Sequence, residues 1–332
     1  MKAVVVRTFG PVEALEVGEL PEPAAGPGEV VVDVRATAVN FVDLLVVGGK
    51  YQFLPELPFA PGKLPSGVVT ACGTGVTSLQ SGDRVLTLAE HGGYAEKVAV
   101  AASSCIRIPD SMSFVDAAAI SLSYDTSWFA LKDRARYEGG ESVLVLGASG
   151  AVGLASVQLA KAFGAFVMGA IANPAHAGLV KDAGADAIVD LSCDNLRDGL
   201  RDQVRDVTSG KGADIGLDML GAPYFEAALR ALAWRGRLVV IGFAAGEIPV
   251  VRANYLLVKN IEVSGLQVSD YRKRLPAMTT ACFDELFALY AAGKISAPPH
   301  RAYPLAGFAQ ALRDLQDRGI RDRIILTPDG SK

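Results

Sequence analysis

The hydrophobic pattern of the chain changes near residue 143. Beyond it, short continuous apolar runs alternate with amphipathic segments, as in buried parallel strands joined by helices. Six such runs predict strands, at 143–146, 166–171, 187–189, 214–218, 238–241 and 261–265. The segments between them predict helices that begin near Ala151, Ala175, Asn195, Pro223 and Arg252. Because the crossovers are short, we expect a doubly wound, six-stranded parallel sheet in an α/β fold.

The part of the chain before this change has the pattern of a β-rich domain. Short apolar runs are separated by Gly and Pro clusters, and the runs lie at 3–6, 30–34, 68–71, 84–88 and 96–100. A helical segment at 113–136 follows, and the chain returns to mixed structure after about residue 267. We therefore expect a discontinuous barrel-like domain at 1–117 and 267–332, with the parallel sheet at 118–266.

The sequence GASGAVG at 147–153 carries the clearest chemical signal. It follows a predicted strand and opens a predicted helix, so it can bring bare backbone N–H groups and a positive helix end to a phosphate. A side chain at Gly150 or Gly153 would block that approach or displace the helix. In this context the turn predicts dinucleotide binding, although similar turns also close ordinary strand-to-helix joints.

Composition limits the function classes. Half of the 332 residues are hydrophobic and 20% are charged, so a large core is available. The net charge of -4 provides no basic surface for nucleic acid, and no apolar run is long enough to predict a membrane span. The chain enters a strand at once, so we expect a cytoplasmic protein. The four cysteines are scattered and predict neither disulfides nor a zinc site.

Several segments together resemble one enzyme family. They are NFVD at 40–43, GKY at 49–51, GDRV at 82–85, GGYAE at 92–96, TSW at 126–128, GASGAVG, and GADIGLD at 212–218 with Gly221. In this order and spacing they resemble the zinc-independent quinone oxidoreductase (zeta-crystallin-like) group of the medium-chain dehydrogenase/reductase superfamily. The resemblance implies a GroES-like catalytic domain and a Rossmann domain. It also implies hydride transfer from a nicotinamide cofactor to a quinone or an α,β-unsaturated carbonyl.

The end of the second predicted strand bears on cofactor choice. Enzymes that prefer NAD place a carboxylate there, and the matching residue in this chain is Ala172. Asn173 and His176 lie where similar NADPH-using reductases hold the 2′-phosphate, so NADPH is the expected cofactor. His176 also fits a solvated residue in the first turn of a helix.

The resemblance implies further cofactor contacts. Asn40 and Thr126 would lie near the nicotinamide, and Arg323 would approach the cofactor. The remaining positions are Ser149, Gly150, Ala151 and Val152 on the pyrophosphate, and Gly242 and Phe243 after the fifth strand. Other roles fit as well: Asn40 could cap a turn, Phe243 could be core and Arg323 could lie on the surface. Asp218 is expected to shape its strand end rather than to take part in chemistry.

Zinc catalysis is not expected. Zinc-dependent relatives align their Cys, His and Cys ligands with Asn40, Lys63 and Leu122, of which neither Asn nor Leu offers a thiolate. Tyr51 is the best side-chain candidate to line the pocket or donate a proton, although it could equally pack a loop. Lys63 could face the site or be solvated. The candidate catalytic residues are therefore Tyr51, Asn40 and Lys63, with no metal.

Three functions remain open from the sequence. The first is an NADPH-dependent quinone or enone reductase acting on a small electrophilic substrate. The second is an enoyl or acryloyl thioester reductase, and the third is a non-catalytic NADPH-binding sensor or structural protein. The apolar segment 261–268 would lie at the sheet edge, which predicts a homodimer paired through that strand.

Overall fold

The computed structural model describes residues 1–316 and 322–328, which divide into two compact units. The first unit comprises Met1–Leu122 together with the described residues from Ser296 onward, and the second comprises Ser123–Ile295. Within these residues, no helix combines the length and the apolar character needed to cross a membrane.

The secondary structure follows in chain order. The strands are β1 Lys2–Val5, β2 Glu16–Glu19, β3 Glu29–Ala38, β4 Ser66–Cys72, β5 Arg84–Thr87, β6 Lys97–Ala101, β7 Cys105–Arg107, β8 Ser142–Leu146, β9 Phe166–Ile171, β10 Ala187–Asp190, β11 Ala213–Asp218, β12 Leu232–Val240, β13 Glu262–Gly265, β14 His300–Pro304 and β15 Arg323–Thr327. The helices are α1 Phe41–Val47, α2 Phe114–Phe129, α3 Ala151–Ala162, α4 Ala177–Asp182, α5 Leu196–Val207, α6 Tyr224–Ala231, α7 Ala253–Lys259, α8 Val268–Arg274, α9 Pro276–Ala291 and α10 Phe308–Gln316.

The first unit is built around a mainly antiparallel sheet. Its strand order is β14-β15-β3-β4-β5-β7, with β6 paired to β3, and only the β14–β15 pair is parallel. Along β3, Val30, Val32 and Val34 alternate inward and pack with Val69 and Val85 in one buried cluster. This arrangement confirms the β-rich domain that the sequence predicts.

The second unit contains one parallel sheet. Its six strands have the order β10-β9-β8-β11-β12-β13, which is the doubly wound arrangement. The order reverses between β8 and β11, where Leu146 pairs with Asp218 at the carboxyl ends of the two strands. Ligands bind at such a reversal point, so the fold places GASGAVG and Asp218 together at the expected binding edge.

Most predicted elements of the second unit agree with the structure, although β12 begins at Leu232, six residues before the predicted run at 238–241. The helix α3 begins at Ala151, and Asn195, Pro223 and Arg252 are the N-cap residues of α5, α6 and α7. The strand β13 lies at the sheet edge and ends at Gly265, as expected, but the apolar segment 261–268 does not continue as strand to its end, since α8 begins at Val268.

Residues 267–295 lie with the second unit, whereas the sequence places them with the barrel-like domain. Arg272 of α8 forms a buried ion pair with Asp125 of α2 at 2.7 Å. Trp128 of α2 donates a hydrogen bond to Glu285 of α9 at 2.6 Å. Because separating a buried ion pair would leave an uncompensated charge, α8 is held strongly to α2. These partners lie about 150 residues apart in sequence, which is why composition alone does not reveal them.

Candidate active-site residues

The Gly-rich turn between β8 and α3 leaves very little space for side chains. A Cβ atom on Gly153 would lie 2.2 Å from the carbonyl oxygen of Gly147, so no side chain fits there without displacing the helix. A Cβ on Gly150 would meet only that same oxygen, at 3.4 Å, which is an ordinary contact. The expected role of Gly153 in helix packing is therefore confirmed. At Gly150 the protein itself leaves room, which suits close approach by a ligand.

The N-terminus of α3 fits a phosphate-bearing cofactor. Gly150 is its N-cap, and no side chain caps the first turn. The first helical hydrogen bond runs from the Leu154 N–H to the Gly150 carbonyl at 2.8 Å, so the N–H groups of Ala151 and Val152 precede the helical ladder. Gly150 and Ala151 are exposed, and Ser149 and Val152 are half-buried. Uncapped N–H groups and the helix dipole can hold a pyrophosphate at this end.

The segment after β9 contains no carboxylate at the expected position. Ala172 and Asn173 are both exposed there. The Asn173 Oδ1 atom accepts a hydrogen bond from the Ala175 N–H at 3.0 Å, which leaves the Nδ2 group as the donor of this side chain. His176 is half-buried and forms the N-cap of α4. The segment can donate to an anion and has no negative charge at Ala172 to repel one.

Asp218 organises the neighbouring strand end. Its Oδ1 atom accepts hydrogen bonds from the N–H groups of Leu220 at 2.8 Å and Gly221 at 3.0 Å. Its main-chain oxygen accepts from Ile241 and Gly242, so it also fixes the segment after β12. Burial raises the pKa of Asp218 to about 6. These bonds match the shaping role that the sequence favours.

The side chains of Phe243 and Thr126 differ in exposure. Phe243 is 40% exposed, so it is not a core residue. Thr126 is buried on α2. The adjacent Ser127 Oγ lies 3.1 Å from the Val152 oxygen and 2.9 Å from Ser156 Oγ, which links α2 to the start of α3. Sequence reasoning assigned no role to Ser127, although it belongs to the TSW segment.

In the first unit, Asn40 is held on several sides. It is the N-cap of α1, with a reciprocal capping box to Asp43. Its Nδ2 group donates to the Ala38 carbonyl at 2.9 Å, and its Oδ1 accepts a short hydrogen bond from Arg323. Arg323 is 6% exposed and donates also to the Val39 carbonyl at 2.6 Å, so it does not lie on the surface. The guanidinium therefore orients Asn40, and one Nδ2 hydrogen of Asn40 remains for a ligand.

Asp43 and Tyr94 support this arrangement from within the core. One carboxylate oxygen of Asp43 accepts hydrogen bonds from the Asn40 N–H and from the Tyr94 hydroxyl, both at 2.8 Å. Burial raises the pKa of Asp43 to about 6, against the lowering effects of Asn40, Tyr94, Lys63 and Arg323. Burial and the Asp43 carboxylate raise the pKa of Tyr94 well above its usual value. Both residues occur in the NFVD and GGYAE segments, but sequence alone does not reveal their contact.

The two other catalytic candidates lie side by side. Lys63 is 3% exposed and forms a short ion pair with Glu90, so it is not solvated. Its Nζ atom lies 5.0 Å from the centroid of the Tyr51 ring. Sequence reasoning missed Glu90, and no motif in the chain singles it out. The structure thus groups Asn40 with Arg323 and Tyr51 with Lys63 in the first unit.

Comparisons with known proteins agree with both units. Residues 26–110 match the family model described as alcohol dehydrogenase GroES-like domain, and residues 151–284 match the one described as zinc-binding dehydrogenase. Across residues 1–316 and 322–328, however, no group of three or more His, Cys, Asp or Glu side chains could hold a metal ion.

Three similar proteins cover most of the chain. The quinone oxidoreductase-like protein 2 homolog of Nematostella vectensis is 40% identical over 275 residues, which cover 82% of this chain and 74% of the relative. The quinone oxidoreductase of Pseudomonas aeruginosa is 32% identical over 329 residues, covering 98% and 99%. The structure of Escherichia coli quinone oxidoreductase complexed with NADPH has a TM-score of 0.90 at 27% identity, covering 99% and 100%.

The raised pKa of Asp43 predicts a pH-dependent stability. The ordinary value is 3.8, so between pH 4 and 6 the folded state binds more protons than the unfolded chain. The contribution of Asp43 to the free energy of unfolding should therefore be greatest below pH 4 and fall by about 3 kcal/mol as the pH rises past 6. Asp43→Asn should lack this loss, as urea unfolding at pH 4 to 7 would reveal. Asp110→Asn, at a fully exposed carboxyl, is the matched control. Identical pH profiles for wild type and Asp43→Asn would contradict the prediction.

Proposed function

The chain belongs to the quinone oxidoreductase group of the medium-chain dehydrogenase/reductase superfamily, and we propose that it is an NADPH-dependent reductase of quinones or α,β-unsaturated carbonyl compounds. The observation that carries the proposal is the uncapped first turn of α3 at the carboxyl end of β8. The neighbouring strand β9 is followed by Ala172, so no carboxylate lies at its end. NADPH supplies a hydride when bound. The protein binds and orients the reactants and excludes water.

In this proposal, the second unit holds the cofactor. The turn from Ser149 to Val152 binds the pyrophosphate: Ala151 and Val152 offer N–H groups, and Gly150, whose own N–H donates to the Gly147 carbonyl at 3.0 Å, leaves room for the ligand. Asn173 donates to the 2′-phosphate and His176 assists it, while Ala172 gives no repulsion. Thr126 contacts the nicotinamide end, and Gly242 and Phe243 line the path after β12. The NADPH complex of the Escherichia coli relative, with its closely similar fold, supports the choice of cofactor.

The first unit supplies the substrate side of the chemistry. Asn40 offers its remaining Nδ2 hydrogen to the nicotinamide or to the substrate, because its other polar atoms are already bonded. Arg323 acts through Asn40 rather than on the cofactor directly. Tyr51 and Lys63 provide an aromatic face and a buried cation for an electron-poor substrate. No metal takes part in this scheme. At two positions where zinc-dependent relatives carry Cys and His ligands, this chain has Asn40 and Lys63 instead.

An assay panel tests the reaction. NADPH absorbance should fall with quinones or simple enones, with lower rates for NADH and no loss of activity after treatment with a chelator. Consumption only with enoyl or acryloyl thioesters would favour that substrate class instead. Binding of NADPH, seen as fluorescence quenching, with no turnover of any acceptor would indicate a non-catalytic binding protein. Equal or better rates with NADH would contradict the assignment of the phosphate site.

The cofactor site has its own test at Ala172. Ala172→Asp should weaken NADPH binding at least about tenfold, because a carboxylate there repels the 2′-phosphate. The same carboxylate accepts hydrogen bonds from the free ribose hydroxyl of NADH. NADH binding should be unchanged or improved. Ala172→Asn introduces a side chain of nearly the same size as Asp but without the charge, and it serves as the control. Equal NADPH dissociation constants for both variants, measured by fluorescence titration, would contradict this role.

We also propose a homodimer that pairs through β13. The strand lies at the edge of the six-stranded sheet, where its outer backbone groups are available to another chain. The helix α7, directly before it, exposes Leu257 at 78% and Val258 at 77%. Exposed apolar side chains beside a strand edge favour a second copy of the same chain.

The association is testable by light scattering. The wild type should have the mass of a dimer. A Leu257→Glu/Val258→Glu variant should be a monomer, because the face that dimerisation buries would then carry charge. Val207→Glu, on the exposed end of α5, is a control that should leave the mass unchanged. A monomeric wild type would overturn the proposal.

A further inference from the structure

We propose that Lys63 is the electrophile of the reaction: its ammonium group donates a hydrogen bond to the substrate carbonyl oxygen, and Glu90 positions it. This inference rests on the proposed function and deepens it, since it requires an acceptor whose oxygen becomes negative as hydride adds. Substrates would accordingly be enones or quinones in which a carbonyl oxygen is conjugated to the carbon that receives hydride.

The surroundings of Lys63 leave a donor unused. An ammonium group has three N–H donors. Within the described residues, the structure gives it one carboxylate acceptor, on Glu90, and one aromatic face, on Tyr51. With the side chain 3% exposed, water is largely excluded from the remaining N–H. A ligand oxygen is a suitable acceptor for a buried, charged donor of this kind.

The backbone fixes Lys63 between two left-handed residues. Gly62 has a φ of +90°, and the buried Leu64 has a φ of +51°, which is costly for a residue with a Cβ atom. The Leu64 N–H donates to the Ala89 carbonyl at 2.9 Å, and the Gly62 carbonyl accepts from Gly93 at 2.9 Å. Lys63 and Glu90 thus lie on two segments joined by backbone hydrogen bonds, which preorganises the ion pair.

The charge of Lys63 also acts on the carboxylate that supports the Asn40 cap. Burial raises the pKa of Asp43, and the charge of Lys63 is among the influences that lower it. Asp43 bonds directly to the Asn40 N–H. Asn40 and Lys63 therefore contribute to one electrostatic environment in the first unit.

A purely structural role explains the pair poorly. Burying an ammonium group is expensive, and well-packed apolar side chains often stabilise a fold as much as a buried ion pair does. A cation placed where charge develops is, by contrast, a strong source of rate enhancement. The cost of burying Lys63 is therefore better explained by chemistry than by stability.

The reaction balances without any further reactant. Hydride from NADPH forms a C–H bond at the β-carbon, and the alkene electron pair moves onto the carbonyl oxygen. The resulting enolate takes a proton from water at the α-carbon, which gives the saturated ketone and NADP⁺. Lys63 keeps its proton throughout and stabilises the oxygen by charge and hydrogen bonding. In a quinone, hydride adds to a ring carbon conjugated to the carbonyl, both oxygens take protons from water, and that ring carbon releases one proton to water as the hydroquinone forms.

The kinetic test compares variants at both partners. Lys63→Met preserves length and removes the charge, so kcat should fall about 100-fold, the usual effect of losing one donor to a developing oxyanion. The loss should be larger for enones than for quinones of high reduction potential, which need less electrophilic help. Lys63→Arg should remain within about tenfold of wild type. Glu90→Gln should lower kcat to an intermediate value.

Lys132 provides a matched control. It combines the same groups in the second unit, with its Nζ atom 4.0 Å from the Phe163 ring centroid and 3.4 Å from Glu285. Its side chain is 34% exposed. Lys132→Met should leave kcat, KM and NADPH affinity unchanged. Thermal unfolding of each variant shows whether it has folded, and if Lys63→Met has not, Lys63→Arg and Glu90→Gln still decide the outcome.

A binding test needs neither NADPH nor turnover. The probe is 4-nitrophenol, whose phenolate resembles an enolate oxygen and absorbs at a different wavelength from the phenol. Wild type should bind it as phenolate and lower its apparent pKa, whereas Lys63→Met should not, and Lys132→Met should match wild type.

The outcomes separate the two proposals. A wild type that reduces enones or quinones, with Lys63→Met equal to it in kcat, would overturn the role of Lys63 but not the proposed function. An identical titration of 4-nitrophenol in wild type and Lys63→Met would also overturn the role of Lys63. A wild type that reduces no acceptor, yet loses phenolate binding in Lys63→Met, would contradict the proposed function and retain the oxyanion site.

Discussion

The absence of a side chain at Gly153 is the constraint on which the second unit depends. Its α-carbon lies so close to the Gly147 carbonyl that an added Cβ would be 2.2 Å from the oxygen. This contact sets α3 directly on the end of β8 and aims its first turn at the reversal point of the sheet. Asp218 of the adjacent strand then anchors the segments around Leu220 and Gly242. The binding edge is thus assembled from short local connections, each fixed by backbone rather than by long side chains.

That local character explains how much of the second unit could be predicted. The strand β9 begins and ends as the apolar run predicts, and Asn195 and Arg252 cap helices where the pattern changes. Periodicity and caps act within a few residues, so they are visible in sequence. The short helix α1 was not predicted, because its apolar segment is only seven residues long and resembles a strand. The strand β15 was also missed, since its pairing with β3 joins residues nearly 290 apart.

The candidate site, too, could be predicted only in part. Its residues could be named from motifs, but their environments could not be predicted, because burial and pairing arise from segments far apart in the chain. Arg323 contacts Asn40 across 283 residues and is buried rather than exposed. Asp43 meets Tyr94 across 51 residues, and its raised pKa exists only because both are enclosed. Phe243, for which the sequence left a cofactor contact and a core position open, is 40% exposed beyond the end of β12.

The chain contains two sets of Lys, Glu and aromatic side chains, and their contrast shows what burial adds. Lys132 lies over Phe163 and near Glu285, with about a third of its side chain in water. Solvent screens its charge, so the pair contributes little beyond local packing. Lys63 has the same types of partner but almost no solvent. In a low-dielectric environment its field reaches farther, and solvent has little access to its remaining N–H donors. The same three chemical groups are therefore a surface contact in one unit and a preorganised cation in the other, and the difference lies in desolvation rather than in residue type.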